Sequence, residues 1–206
     1  MKLKKFPHQA VALLILLIGI AATTGFYFSG KSKQTQTADD VAPEVSAQFN
    51  YIVKNSNSAC YGIKTVMQMP DNGRIMGSCC GPMYLHTYAE QLESVEKYSS
   101  ISKVPSDPYD IPVSQAKELI NDFKTIQLSG EQQLIYEEAK KMSHEGGPCC
   151  CGDDNLESNT CWRWKVYGGL AKYLITEHGF SSEQIAEVWD VSDGCGGDHH
   201  VEEIHA

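Results

Sequence analysis

Charged side chains are missing from the first part of this chain after its opening residues. Lys2, Lys4 and Lys5 are followed by a stretch from Phe6 to Gly30 with no Asp, Glu, Lys or Arg, whose apolar core runs from Ala10 to Phe28. That length is enough to span a bilayer as a helix. Basic residues before the run, and the bulk of the chain after it, predict a cytoplasmic N-terminus and an extracytoplasmic remainder. No good Ala-x-Ala cleavage site precedes Phe26-Tyr27-Phe28, which has the look of an interfacial aromatic belt, so residues 1–30 read as an uncleaved signal anchor. No cysteine closes the run, which argues against a lipoprotein.

Other absences exclude whole classes of function. The formal net charge is −9, so nucleic acid is disfavoured as a partner, because its phosphates would be repelled. No Cys-x-x-Cys-His run is present, which excludes covalent c-type haem. There is no Gly-x-Ser-x-Gly elbow, no His-Glu-x-x-His helix and no Gly-rich phosphate loop, so neither a nucleotide nor a catalytic residue is assigned. The segment Asp153-x-Asn155-x-Glu157-x-Asn159 copies the early ligands of a calcium loop. It has Ser158 where the turn glycine belongs and Trp164 where the bidentate Glu belongs, and is a solvated acidic loop instead.

What remains is one modest domain. Residues 31–48, with Thr35, Thr37, Asp39, Asp40 and Pro43, read as a flexible tether, and residues 49–206 as an extracytoplasmic, Cys-rich domain. The expected fold is mainly α: an N-terminal transmembrane helix followed by a bundle of about five helices with cysteines in the loops. A short hairpin is expected near residues 51–76, turning at Asp71-Asn72-Gly73. Pro82 suits the first turn of a helix carrying Leu85, Tyr88, Leu92 and Val95. A second helix aligns Val113, Ala116, Ile120 and Phe123. A third, capped by Ser129 with Gln132 in the capping-box position, would bury Leu134, Ile135, Ala139 and Met142. The fourth opens at Cys161 and carries Trp162, Val166, Leu170, Tyr173 and Leu174 up to a left-handed Gly179. Ser181 and Gln184 cap a fifth with Ile185, Val188 and Trp189. Trp162, Phe123 and Trp189 are expected in the core.

Chemistry, on this reading, belongs to eight cysteines: 60, 79, 80, 149, 150, 151, 161 and 195. In an oxidising compartment an even count is compatible with four disulfides, for which Cys60, Cys79, Cys80, Cys161 and Cys195 are candidates. Neighbours such as Cys79-Cys80 rarely bond to each other, because bridging them strains the peptide between. Three in a row would need three separate partners at one loop. Thiolates crowded on a Gly/Pro turn can instead reach one soft ion, copper or zinc. If successive helices alternate in direction, Cys149, Cys150, Cys151, Cys161 and Cys195 meet at one end. Cys79, Cys80 and Met83 form a second pool, with the dipoles of following helices favouring thiolate at Cys79, Cys80 and Cys161. Met67, Met69, Met76 and Met83 cluster around Cys79-Cys80, and thioethers select Cu(I). His144, His86, Met76, His199 and His200 are auxiliary ligand candidates.

Pro148-Cys149-Cys150-Cys151-Gly152, then Asn159-Thr160-Cys161-Trp162, then Gly179-Phe180-Ser181-x-x-Gln184-Ile185-x-x-x-x-Asp190, resembles bacterial exported proteins that carry a Pro-Cys-Tyr-Cys-Gly-Cys motif. The likeness covers about the last 50 residues, with Cys150 in place of the Tyr and Asp153 in place of the final Cys. It implies an exported, cysteine-bearing helical domain.

Three functions therefore stand as expectations. One is a membrane-anchored extracytoplasmic protein that binds or hands over Cu(I) or Zn(II), in company with a metal-handling or membrane protein. Another is a disulfide-stapled adaptor without metal. The third is a thiol-disulfide redox protein or sensor, against which stands the lack of Cys-x-x-Cys.

Overall fold

A computed structural model describes residues 41–158 and 160–197. The anchor expected at 1–30, most of the tether, and His199 and His200 lie outside the described residues. Among the described residues no helix is long and apolar enough to cross a membrane.

The described chain is mainly helical. In order it forms α1 (Pro43–Lys54), α2 (Ile63–Gln68), β1 (Arg74–Met76), α3 (Leu85–Glu96), β2 (Asp110–Pro112), α4 (Val113–Thr125), α5 (Gly130–Met142), α6 (Trp162–His178) and α7 (Ser182–Val191). The five helices expected from periodicity are α3 to α7. Ser129 and Ser181 both close capping boxes, with Gln132 and Gln184 returning the bond, and Gly179 ends α6 at φ 65°.

Helix α6 is the axis of the fold. Trp162, Val166, Leu170 and Leu174 are fully buried, each worth about 1.5–3 kcal/mol relative to exposure. Helix α4 crosses it closely at Gly168-Gly169. A Cβ on Gly169 would lie 1.9 Å from the Leu119 carbonyl oxygen, so only glycine admits that approach. Two lysines on α6, Lys165 buried and Lys172 half-buried, are held by carbonyls. Lys165 donates to the Asn155 carbonyl at 2.8 Å, and Lys172 to the Phe123 carbonyl at 2.7 Å. A second, smaller core joins Ile52, Tyr88 and Tyr109, with Val45, Phe49, Met76, Met83 and Leu92 packed on it.

Four expectations need correction. The helix α1 begins at Pro43, inside the stretch read as tether. Proline at the first helical position costs nothing, and Val45, Phe49 and Ile52 recur at helical spacing to reach the second core. No hairpin forms within 51–76: Asp71-Asn72-Gly73 does turn, but it leads from α2 into β1, which pairs antiparallel with β2, Ile75 opposite Ile111. The helix after Gly81-Pro82 starts only at Leu85, so Pro82 is not in its first turn. On α5 the buried stripe is Tyr136 and Ala139, while Leu134 is 71% and Met142 45% exposed. Tyr136 takes the inner face because its ring packs edge-on against Trp189, centroids 5.5 Å apart.

Candidate metal centre

Four stretches of chain and the start of α6 are held together by main-chain hydrogen bonds, and each carries cysteine. The segment after β1 runs against the segment after α7: Cys79 N–H donates to the Gly194 carbonyl (3.2 Å), Cys80 and Gly81 N–H to that of Cys195 (3.0 and 2.8 Å), and Gly197 N–H to that of Pro82 (2.9 Å). The contact is so close that a Cβ on Gly196 would lie 2.7 Å from the Gly81 oxygen, and Gly196 itself has φ +74°. Asp193 accepts the Cys195 N–H at 2.9 Å and so shapes the turn.

The start of α6 collects the other two stretches. Trp162 N–H donates to the Tyr61 carbonyl at 2.9 Å, and Cys161 N–H to that of Cys151 at 3.2 Å. The Trp162 indole N–H reaches the Ala59 carbonyl at 3.2 Å, which brackets Cys60 on both sides. The loop with Cys149 to Cys151 is fastened over Trp164, whose ring occupies the space a Cβ on Gly147 or Gly152 would need. Asp154 completes the fastening, accepting from Trp164 Nε1 (2.8 Å), Tyr136 OH (3.0 Å) and Lys140 Nζ (2.7 Å).

The result is one continuous cluster of all eight sulfurs. Sγ–Sγ separations are 2.9 Å for Cys149–Cys195, 3.0 Å for Cys60–Cys80 and 3.1 Å for Cys150–Cys151. They are 3.5 Å for Cys79–Cys80 and Cys80–Cys151, 3.6 Å for Cys79–Cys195 and Cys150–Cys195, 3.7 Å for Cys80–Cys150 and 4.0 Å for Cys79–Cys161. None of these is a bond, since S–S bonds are about 2.05 Å. Tetrahedral thiolates at about 2.3 Å from a cation lie about 3.8 Å apart, which is the scale of this cluster. Four sulfur triples, Cys60/Cys79/Cys161, Cys60/Cys80/Cys151, Cys79/Cys149/Cys195 and Cys80/Cys150/Cys195, each lie within 4.8 Å of one another. Among the described residues, such metal-sized groups consist of cysteine alone.

The two pools inferred from sequence are thus one site. The 99–110 segment lets this happen by leading the chain from α3 round to β2, beside the strand that delivers Cys79. Cys60, expected only as a disulfide partner, belongs to the cluster; as a single cysteine in a polar turn it had no local signal. Cys161 is the N-cap of α6, as the dipole argument requires, but Cys79 and Cys80 lie well ahead of α3 and take nothing from its dipole. Met83 and Met76 are accounted for by packing in the second core. The His86 ring lies against Tyr84, centroids 6.1 Å apart. His144 stands beside Glu145 at 3.9 Å, its backbone N–H on Asp190.

Arg163 is a neighbour of the cluster that the sequence did not announce. Placed on the most buried helix, its guanidinium is fully buried and donates to the carbonyls of Pro108 (2.7 Å) and Gly77 (3.0 Å). A Cβ on Gly194 would fall 2.2 Å from its Nη1, so the cation sits directly beneath the paired segments that carry Cys79 and Cys195.

Close packing pushes the thiols of the cluster in opposite directions. Contacts with the sulfurs of Cys149, Cys161 and Cys195 hold Cys79 well below the usual cysteine range, with burial opposing and Arg163 assisting. Cys161 is pushed up by its contacts with Cys149 and Cys79 and then by burial. Burial first, then Cys60 and Cys79, pushes Cys80 up, and burial with Cys151 pushes Cys150 up to about 11. Thiols packed this closely are acids that cannot all ionise together. A cation that compensates the charge would release those protons.

No family model, curated protein or solved structure matches this chain, so the geometry of the site carries the functional reading.

Proposed function

We propose that this protein binds soft cations in a polynuclear cysteine site, Cu(I) foremost and Zn(II) next, and holds or hands over those ions at the outer face of a membrane. The observation that carries this reading is the meeting of eight sulfurs, from four separate stretches and the start of α6, in one chain of contacts of 2.9–4.0 Å. A closed structural zinc site needs only four ligands. Eight thiolates therefore have capacity for more than one ion, with some sulfurs bridging. A donor set of sulfur alone selects soft ions, and among divalent and monovalent candidates copper outbinds zinc at such ligands. The membrane location is supported by the uncharged run from Phe6 to Gly30 behind Lys2, Lys4 and Lys5, and the resemblance at Pro148 to Gly152 points to export as well.

A disulfide-stapled scaffold is the second reading. The nearest sulfur pairs, Cys149–Cys195, Cys60–Cys80 and Cys150–Cys151, together with Cys79–Cys161, exhaust all eight cysteines. Against it, one of the four would join sequence neighbours, at a cost in peptide strain.

Native mass spectrometry of the full-length chain, loaded with Cu(I) under reductant and without oxygen, separates the two. The metal reading predicts two or more ions per chain and cysteines that resist alkylation until a chelator is added. A chain that takes up no ion, and that isolates from its membrane with its cysteines fully oxidised, would leave the scaffold.

A further inference from the structure

The cluster has an inside and an outside. Cys149, Cys161 and Cys195 are only 1–2% exposed and Cys79 is partly covered, whereas Cys60, Cys80, Cys150 and Cys151 are exposed. Each run of adjacent cysteines divides between the two sets: Cys79 faces in and Cys80 out, Cys149 in and Cys150 with Cys151 out. The adjacency that makes these residues poor disulfide partners is what lets one backbone segment serve both layers. Arg163 lies on the inner side, under the segments that bear Cys79 and Cys195, where a fixed cation offsets thiolate charge that water cannot reach.

The metal-sized triples connect these layers. Cys60/Cys80/Cys151 is wholly outer and Cys79/Cys149/Cys195 wholly inner, while Cys60/Cys79/Cys161 and Cys80/Cys150/Cys195 are mixed. Either mixed triple shares one sulfur with the outer triple, Cys60 or Cys80, and one with the inner triple, Cys79 or Cys195. An ion moving inward by either route keeps at least one thiolate at every step.

Building on the soft-cation reading, we infer that the site is a relay: an outer exchange port that takes Cu(I) from a carrier presenting sulfur ligands, and an inner store that retains it. Entry is ligand exchange without electron transfer. A copper–sulfur bond to the carrier breaks as one to Cys80, Cys60 or Cys151 forms, and the proton displaced from the incoming cysteine passes to the departing carrier sulfur. A thiol carrier suits a port of thiols, because the exchange then replaces sulfur by sulfur and returns the displaced proton to the departing ligand.

The test uses the full-length protein loaded with a single equivalent of Cu(I) and footprinted by brief alkylation, with each cysteine read by peptide mass spectrometry. Relative to folded apo protein, labelling should slow at Cys79, Cys149, Cys161 and Cys195 and stay unchanged at Cys60, Cys80, Cys150 and Cys151. A companion C80S/C151S variant should load its first equivalent of Cu(I) from copper–glutathione more slowly than wild type, by about tenfold or more, on the scale of the roughly 10–100-fold that even outer-shell changes cost a metal site. Protection spread evenly over both layers, or confined to the outer one, overturns the relay while leaving metal binding intact. Equal loading rates for variant and wild type overturn it too. No ion bound by wild type removes the reading beneath it as well.

Discussion

The backbone N–H of Gly81 donates to the carbonyl oxygen of Cys195 at 2.8 Å. This bond joins two turns more than a hundred positions apart, and the sulfurs beside it, Cys79 and Cys195, stand 3.6 Å from each other. The site exists because glycines on both sides let the two main chains touch.

Replacing Gly196 by alanine should therefore open the clasp. Its φ of +74° disfavours a side chain and the new Cβ would press on the Gly81 and Pro82 oxygens, at a cost of about 1–3 kcal/mol. The expected outcome is a lower midpoint in thermal unfolding together with reduced metal stoichiometry. G146A is the control, since Gly146 also has positive φ but has nothing within 4 Å; it should lose stability without losing metal.

Arg163→Met keeps much of the side-chain volume and removes the charge and both hydrogen bonds. Leaving the Pro108 and Gly77 carbonyls without their donors should cost about 2–6 kcal/mol, at about 1–3 each. Chemical denaturation of the apo protein measures this. If the guanidinium also offsets thiolate charge, the loaded variant should release copper to a chelator faster than loaded wild type.

The loop that presents Cys149 to Cys151 depends on Asp154. Burial alone would raise the pKa of this carboxyl, but bonds from Lys140, Trp164 and Tyr136 outweigh it and hold the value below the usual carboxylate range. A depressed folded-state pKa stabilises the fold above the unfolded value of about 3.9, and that contribution disappears as pH falls through the lower folded value. The gap in melting temperature between wild type and D154N should accordingly be full from pH 5 to 7 and shrink below about pH 4. A gap that widens on acidification would contradict the assignment.

Gly169→Ala tests the crossing that sets α6 in place. The added methyl meets the Leu119 oxygen at 1.9 Å, and forcing the helices apart should cost about 1–3 kcal/mol or more. Circular dichroism melts should show it, with helix content of the surviving folded state unchanged.

Local signals made most of the bundle legible. The capping boxes at Ser129 and Ser181 and the left-handed Gly179 are decided by residues within one turn, and periodicity placed the inner faces of α4 and α7. Where neighbours in space decide, pattern reading failed. Leu134 and Met142 have the right spacing for burial, but Tyr136 wins the inner face by meeting Trp189 and Asp154. The strand at Arg74 pairs with a partner beyond α3, so a nearby hairpin was the wrong inference. The cysteine loops were visible as a site, whereas the unity of that site was not, because the main-chain clasp and the bracketing of Cys60 by Trp162 link residues with no sequence proximity. Arg163 and Lys165 lie off the apolar side that periodicity marks on α6, yet from Trp162 to Ala171 the fold buries that helix on every side.

X-ray absorption at the copper edge of the Cu(I)-loaded full-length protein tests the central claim most directly. A cluster built from these eight cysteines predicts a first shell of sulfur alone at about 2.3 Å and a second scattering shell from a neighbouring copper bridged by shared thiolates. Nitrogen or oxygen in the first shell, or an isolated copper with no metal neighbour at full loading, would contradict it.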